Sequence, residues 1–314
     1  MGAPNGLSGM TFPTTAAPSL TTWGFQYNGL NLGAGSSYGV LKTTGISDQP
    51  KIHGGDLARP RDHGELLGLN LMGGRDIELD FWAQSGGTNV QTLMKNLSTA
   101  TIPTNTEIPL WMQFPNLPCL ASMCRVTNRI VPMDIDFAAS QVAKPVVQFH
   151  ATDPRLYANP VTTSGSWAGN GGGGLLFNVT FNVTFGTSVS YTSLTIPNGG
   201  NIECRPILTI TGPCTNPVVA NPTQGWQLNI SATLASGDTL VIDLDLGSVT
   251  YTSFGSTVGQ PRKNWIAAGS IWPNLINGIQ GVAPGGNTIT FSSSDTALSP
   301  SAVLSVQSAD AYLL

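Results

Sequence analysis

The sequence predicts an all-β protein built from two β-sandwich domains. Only 10% of the 314 residues are charged, 37 glycines and 22 prolines interrupt the chain at short intervals, and several segments alternate between apolar and polar residues. Frequent turn formers between short alternating segments are typical of sandwiches and barrels of antiparallel strands. Because 314 residues exceed the usual size of one hydrophobic core, we expect two domains.

A break in composition indicates the domain boundary. Residues 1–158 hold 10 of the 13 Lys and Arg residues and 11 of the 17 Asp and Glu residues. Residues 159–174 (NPVTTSGSWAGNGGGG) consist mostly of turn formers and glycines, which do not favour regular structure. We therefore predict a first domain at 1–158, a Gly-rich linker at 159–174 and a second β-sandwich domain at 175–314.

Two segments of the first domain have strand patterns. Ile77, Leu79 and Phe81 alternate with Asp76, Glu78 and Asp80, which predicts a strand with one buried and one solvated face. Residues 146–151 (VVQFHA) predict another strand, which ends before Asp153-Pro154 because proline lacks a backbone donor. We expect this strand to be the last of the first domain.

One helix is predicted in the first domain, packed on its sandwich. Val90, Leu93, Met94 and Leu97 recur at helical spacing. Thr88 or Asn89 precedes them as an N-cap candidate, and Pro103 follows.

The second domain contains several strand-like runs separated by turns rich in Gly, Pro, Asn or Ser. This arrangement predicts a sandwich or jelly roll of short antiparallel strands. The runs lie at residues 174–185, 202–212, 225–234, 239–244 and 288–291.

Overall charge and hydropathy exclude several classes of protein. A net charge of −4 and a pI of about 5.2 argue against a protein that binds nucleic acid through its phosphates. No apolar run approaches the roughly 18 residues that span a bilayer, so membrane insertion is not expected. The first twenty residues lack a basic region followed by an apolar stretch, so we expect no secretory signal and synthesis in a cytoplasm.

Residues of the types that commonly bind metals, Cys and His, are scattered along the sequence. Cys119 and Cys124 are five apart with no second pair nearby, whereas zinc needs clustered ligands. His53, His63 and His150 are far apart. We expect buried free thiols, no metal and no cofactor.

Paired carboxylates raise the hypothesis of a glycan hydrolase. Asp134 with Asp136, and Asp243 with Asp245, would share a face of a strand, although ordinary alternation of solvated residues also explains them. No nucleophile elbow, phosphate-binding loop or dinucleotide fingerprint is present. We therefore expect no catalytic residue and no enzymatic activity.

Two groups of residues each allow a structural and a functional interpretation. Asp76, Glu78 and Asp80 form either an ordinary solvated face or a negative surface that lines a pore and repels phosphate. Aromatic residues of the second domain either pack in the core or stack on sugar rings. These aromatics are Trp226, Tyr251, Trp265 and Trp272.

One stretch that begins at Ile52 and four later segments resemble the distal tail protein family of siphophages, the minor tail proteins of actinobacteriophage type. The stretch holds Arg59, Arg61, Asp62, His63, Gly64, Gly68, Gly73, Gly74 and Arg75. The block FHATDPRLY at 149–157 resembles the end of the family's first domain. In the second half, the similar segments are 206–217, 236–243 and 284–289.

The resemblance implies a structural, non-enzymatic protein of the phage tail tip. Its first domain, a sandwich or split barrel, would form a ring of six subunits that continues the DNA channel. The second domain would be a peripheral galectin-like or carbohydrate-module-like sandwich. The ring would join the tail tube protein above to the tail-tip protein below, and DNA would pass without specific binding. The protein would belong to the virion after assembly in the host cytoplasm.

The resemblance also implies roles for single residues. Arg59, Arg61, Asp62, His63 and Arg75 would form charge-assisted bonds between subunits, so that Arg75→Ala would weaken ring assembly without unfolding the monomer. The alternative is pairing of Arg61 or Arg75 with Asp62 or Glu65 in the same chain.

Within a ring, the face of Asp76, Glu78 and Asp80 would line the channel. Two alternative functions remain at this point. One is a carbohydrate-binding adhesin that acts through aromatics of the second domain, and the other is a jelly-roll capsid or decoration protein.

Overall fold

The computed structural model describes residues 12–84, 89–167, 192–274, 277–295 and 302–314. The described chain is almost entirely β-structure, as predicted. It divides into two compact units, of which unit 1 comprises Met1–Pro160 with Asp310–Leu314 and unit 2 comprises Val161–Ala309. Among the described residues, no helix has the length and apolar character needed to cross a membrane.

Unit 1 contains short strands and two helices, α1 (Val90–Ala100) and α2 (Ile135–Ser140). Its strands are β1 (Gly24–Tyr27), β2 (Leu30–Gly33), β3 (Tyr38–Thr44), β4 (Ile52–His53), β5 (Leu57–Ala58), β6 (Glu65–Leu66), β7 (Leu71–Met72), β8 (Arg75–Gln84), β9 (Ile108–Gln113), β10 (Cys119–Ile130), β11 (Val142–Ala143), β12 (Val146–Ala151), β13 (Leu156–Tyr157) and β26 (Ala311–Tyr312).

The main sheet of unit 1 is antiparallel and has the order β11-β8-β12-β10-β9-β1-β2. Strand β3 pairs with β8, and β13 pairs with both β10 and β26. The long strand β10 pairs with β9 through its first half and with β12 through its second half, and its register with β12 shifts between Val126 and Asn128. Such a bulge increases the local bend and twist of a sheet.

Periodicity correctly predicted the strand β8 and the helix α1. Ile77, Leu79 and Phe81 are at most 1% exposed, while the acidic residues between them point to the other face. Helix α1 buries Val90, Leu93, Met94 and Leu97, and the side chain of Asn89 caps it by accepting a hydrogen bond from the N–H of Gln91.

The expectation that residues 146–151 form the last strand of the first domain is wrong. They form β12, which ends before Pro154 as predicted, but the chain re-enters the sheet at β13. Leu156 and Tyr157 are buried there, and they pair with Tyr312 and Ala311 of β26. Residues 310–314, which were assigned to the second domain, therefore belong to unit 1.

Unit 2 has two larger antiparallel sheets, in the orders β14-β25-β16-β21-β22-β23 and β15-β24-β18-β19, and a small sheet of β17 and β20. A 3-10 helix spans Lys263–Trp265. The strands are β14 (Val161–Trp167), β15 (Thr192–Asn198), β16 (Ile207–Thr211), β17 (Cys214–Thr215), β18 (Val218–Asn221), β19 (Trp226–Asn229), β20 (Thr233–Leu234), β21 (Thr239–Asp243), β22 (Ser248–Thr252), β23 (Gln260–Pro261), β24 (Gly285–Ser292) and β25 (Ala302–Ser308).

Strands lie within four of the five runs predicted for the second domain, and the run at 174–185 lies outside the described residues. The predicted linker is partly wrong, because Val161–Trp167 forms β14, which pairs with β25 along its whole length. Its remaining residues, 168–174, also lie outside the described part. The four cysteines are free, as expected, and all but the half-buried Cys119 are buried.

Candidate functional site: an exposed hairpin arm in unit 1

A β-hairpin arm lies in the connection between β3 and β8, two strands of unit 1 that pair with each other. Strand β4 pairs with β7 at its base, and β5 pairs with β6 nearer the turn. We call residues 51–72 the arm. Every one of these residues is exposed except Gly68, which is half-buried.

The arm carries large apolar side chains that its own chain does not cover. Their exposed fractions range from 39% for Met72 to 89% for Leu67. Soluble monomers rarely expose such contiguous apolar surface, and where it occurs it commonly marks an interaction site. The side chains are Ile52, Leu57, Leu66, Leu67, Leu69, Leu71 and Met72.

Four of the predicted assembly residues lie near the turn of the arm. The Arg59 guanidinium is 3.9 Å from a carboxylate oxygen of Asp62, and both side chains are exposed, so the pair contributes little to stability. The Asp62 carboxylate also accepts a hydrogen bond from the N–H of His63. Within the described residues, Arg61 forms no ion pair, so the predicted bond from Arg61 to Asp62 or Glu65 is not formed.

Two glycines of the stretch that resembles the distal tail protein family, Gly68 and Gly74, lie where another part of the backbone comes too close for a side chain. A Cβ on Gly68 would lie 2.1 Å from the carbonyl carbon of Gly55 across the hairpin. A Cβ on Gly74, at the base of the arm, would lie 2.7 Å from the Ala151 carbonyl oxygen. Any other residue at these positions would push the two strands of the arm apart, or push the arm away from the sheet.

Arg75 lies at the base of the arm and is only 2% exposed. Its Nε donates to the Pro154 carbonyl at 2.8 Å, and its Nη1 donates to the carbonyls of Gly45, at 2.9 Å, and Ile46. Burial lowers the pKa of this guanidinium from its ordinary value. The predicted bond from Arg75 to a neighbouring subunit is therefore wrong, as is its predicted pairing with Asp62 or Glu65, because the side chain is buried and its Nε and Nη1 donate to carbonyl groups of its own chain.

The face of Asp76, Glu78 and Asp80 is solvated, but it is not uniformly acidic. The Nδ1 of His150 lies 2.6 Å from a carboxylate oxygen of Asp76, and Gln148 donates to Glu78 at 2.6 Å. Two cationic residues lie on the same face, as the pairing of the strands shows. Lys42 of β3 lies opposite Asp80, and Arg125 of β10 lies opposite His150.

The aromatic residues predicted to bind glycans separate into two groups. Trp226 is 1% exposed, and its indole N–H donates to the carbonyl of Gly281 at 2.8 Å. Trp226 is therefore a core residue, and its predicted stacking role is wrong. Tyr251, Trp265 and Trp272 are half-buried, and the rings of Tyr251 and Trp265 have centroids 5.1 Å apart.

Three of the four paired carboxylates, Asp134, Asp243 and Asp245, have structural partners, and the side chain of Asp136 lies outside the described part of the chain. Asp243 is buried and accepts hydrogen bonds from the N–H groups of Asp245 and Leu246, which shapes a turn. Asp134 accepts from the N–H of Phe137 at the start of α2. In the part of the chain that the structure describes, no three His, Cys, Asp or Glu residues cluster as metal ligands would.

The sequence matches no protein-family model and no curated protein. The fold, in contrast, is similar to that of the Dit (gp 19.1) protein of phage SPP1, described as a paradigm of the hub adsorption apparatus in phages that infect Gram-positive bacteria. The similarity covers 90% of this chain and 98% of the SPP1 chain, with a TM-score of 0.57 and 15% sequence identity. The chain therefore has the same fold as the SPP1 Dit protein.

Two structures of the phage P2 baseplate in its activated conformation, one with Ca and one with Sr, are also similar in fold to this chain. Each similarity covers 87% of this chain and 91% of the other, at 10% and 12% identity. Their TM-scores are 0.46 and 0.44.

Proposed function

We propose that the protein is a non-enzymatic structural component of a phage tail tip that assembles into a ring through its arm. The exposed apolar surface of the arm carries this proposal. The fold supports this proposal, since the SPP1 Dit protein, which has the same fold, is described as a paradigm of the hub adsorption apparatus.

The arm has the properties of an assembly element. Leu57 lies directly opposite Leu66 in the hairpin, and both are at least half exposed, as is the neighbouring Leu67. Packing these side chains against a second copy removes them from water, which stabilises the assembly by roughly 25 cal/mol for each Å² of apolar surface buried. Arg59 and Arg61 near the turn are placed to bond carboxylates of that neighbour.

An arm that packs on a different surface of the next copy makes a head-to-tail contact. Such contacts close into a ring when the rotation between copies divides a full turn. The family resemblance indicates six copies, with the tail tube protein above the ring and the tail-tip protein below it.

We further propose that the face of Asp76, Glu78 and Asp80 lines the channel of this ring. Its three carboxylates outnumber the cations Lys42 and Arg125, and the whole chain carries a net charge of −4. A surface with little attraction for phosphate lets DNA pass without being held.

Replacing apolar side chains of the arm tests the proposed assembly. The variant Leu57→Ser, Leu66→Ser, Leu67→Ser removes apolar contact surface from residues that support no core, so it should stay folded and become monomeric. Light scattering over a range of concentrations should give a mass of about six times 32.8 kDa for the unmodified chain and 32.8 kDa for the variant. Negative-stain images of the larger species should show rings with an open centre.

A matched control replaces three exposed apolar residues of unit 2. The exposed fractions of Leu246, Val258 and Ile271 are 44%, 70% and 46%, and their replacement by Ser should leave the ring intact. An unmodified chain that stays monomeric at every concentration would contradict self-assembly. Equal masses for the arm variant and the unmodified ring would contradict the role of the arm.

A further inference from the structure

The charged residues of unit 2 are few, and nearly all of them have partners. Its carboxylates all accept hydrogen bonds or form ion pairs: Glu203 and Asp245 lie beside Arg205, and Asp238, Asp243 and Asp295 accept hydrogen bonds from backbone or hydroxyl groups. Arg262 and Lys263 are the only other charged residues between 161 and 309. Neither forms an ion pair with a described residue.

These two adjacent cations rest on aromatic rings. The Arg262 guanidinium carbon lies 5.4 Å from the centroid of Trp265, and the Lys263 ammonium lies 5.9 Å from that of Trp272. A cation–π contact positions a cation without neutralising its charge. The positive charge of both residues therefore remains available to a ligand.

The backbone that presents the two cations is fixed on both sides. The N–H of Arg262 donates to the Val249 carbonyl, which ties it to β22, and the N–H of Ser231 donates to the Trp265 carbonyl. Beyond Trp265, Ile266 bridges to Ile230 and Ile271 bridges to Gln227. The segment thus runs from the edge strand β23 of one sheet to the edge strand β19 of the other.

We propose that Arg262, Lys263, Trp265 and Trp272 form a binding site for an anionic carbohydrate. The two cations bond its carboxylate or phosphate group, and sugar rings pack on the exposed parts of the indoles. The proposal concerns unit 2 alone, so it holds whether or not unit 1 forms a ring. It also names the class of ligand for Trp265 and Trp272, two of the aromatic residues that the sequence indicated, whereas Trp226 belongs to the core.

The neighbouring side chains favour a carbohydrate over an acidic protein. Phe254 is 79% exposed in the loop that follows β22, and Gln260, whose side-chain oxygen accepts a hydrogen bond from Arg262, adds an amide group rather than a further cation. Aromatic surface with a few convergent polar groups suits a small polar ligand, whereas an acidic protein surface would be matched by a wider basic patch.

Binding of defined oligosaccharides to the full chain tests the proposal. The probes are an oligogalacturonate, which carries carboxylates, a phosphomannan fragment, which carries phosphates, and a neutral oligogalactoside of equal length. Calorimetric titration should show binding of one or both anionic probes, at least about tenfold tighter than the neutral one, and weakening as salt is added. The two anionic probes distinguish a carboxylate ligand from a phosphate ligand.

The variant Arg262→Gln, Lys263→Gln should lose at least about tenfold in affinity for the anionic probes. The matched variant Lys95→Gln, Lys144→Gln removes two exposed cations from unit 1 and should bind as the unmodified chain does. Trp272→Ala should weaken binding of the anionic probe and the neutral probe alike.

Three outcomes would overturn the proposal: no binding of either anionic probe, equal binding of the neutral probe, or full binding by the Arg262 and Lys263 variant. Binding of poly-glutamate but of no oligosaccharide would show an acidic protein ligand instead.

Discussion

The guanidinium of Arg75 joins β8 to two other parts of unit 1. It bonds the turn before the arm through Gly45 and Ile46, and it bonds Pro154, which lies 79 residues further along the chain. Arg75→Ala leaves these buried carbonyls without donors, so we expect the free energy of unfolding of unit 1 to fall by about 2 to 4 kcal/mol. Urea unfolding measures this change.

Arg61→Ala is the matched control, because Arg61 is exposed on the arm. Its effect on unfolding should stay within about 0.5 kcal/mol. Similar losses for the two variants would contradict the stabilising role of the Arg75 bonds. A fully stable Arg75 variant with only an assembly defect would restore the inter-subunit role that the sequence suggested.

Asp238 provides a pH-dependent contribution to the stability of unit 2. The backbone N–H of Phe254, together with the N–H of Ala235 and the hydroxyl of Tyr251, lowers the pKa of this carboxyl. A lowered pKa in the folded state stabilises the fold above the unfolded-state value of about 3.9, and this stabilisation is lost as pH falls through the folded-state pKa.

We therefore expect Asp238→Asn to reduce the stability of unit 2 at neutral pH, and to reduce it less as the pH is lowered below about 4. Denaturant unfolding of both proteins over a pH series measures this difference. A difference that stays constant from pH 7 to pH 3 would show that the ionised carboxylate does not contribute.

Single residues mark the limit of what the sequence predicts. Periodicity identified the buried face of β8, and the residue types before α1 limited its cap to Thr88 or Asn89, because both features depend on neighbours within a few residues. The carbonyl partners of Arg75 leave no trace in the sequence, since every residue has a carbonyl. The burial of Trp226 depends in the same way on Gly281, which lies 55 residues away.

At the scale of elements, strands rich in Ser, Thr and Gly were the hardest to predict. Residues 161–167 resemble a linker in composition, yet they form β14 because β25 supplies a complete antiparallel partner. The arm was indicated by the family-like pattern of Arg and Gly residues, but its hairpin pairing was not. Tertiary pairing decides such segments, and their local preference is too weak to oppose it.

Strand β26 should contribute to the thermal stability of unit 1. Ala311 is fully buried, and this strand pairs with β13. A chain that ends at Ala309 should have a lower melting temperature for unit 1, by several degrees, and an unchanged transition for unit 2. Calorimetry resolves the two transitions, and a shift of the unit 2 transition alone would show that residues 310–314 stabilise the other unit.

At the scale of the whole molecule, the alternation of apolar and polar residues predicted the all-β class, and the fold is similar to that of the SPP1 Dit protein. No family model matches the sequence, and the identity to the SPP1 protein is only 15%. Fold is retained at this distance because alternation and turns tolerate extensive replacement, whereas interface side chains do not. Ring size and partners therefore require the experiments on assembly.

The pairing of β13 with β26 places the entry and exit of unit 2 side by side. Leu156 lies opposite Tyr312, and the N–H of Ala158 donates to the Asp310 carbonyl at 2.9 Å. Unit 2 is thus a cassette inserted into the chain of unit 1 and connected to it at two adjacent points. Recombination can exchange such a cassette for another domain with neighbouring termini, so the ligand-binding part can diversify while the domain that carries the arm keeps its fold.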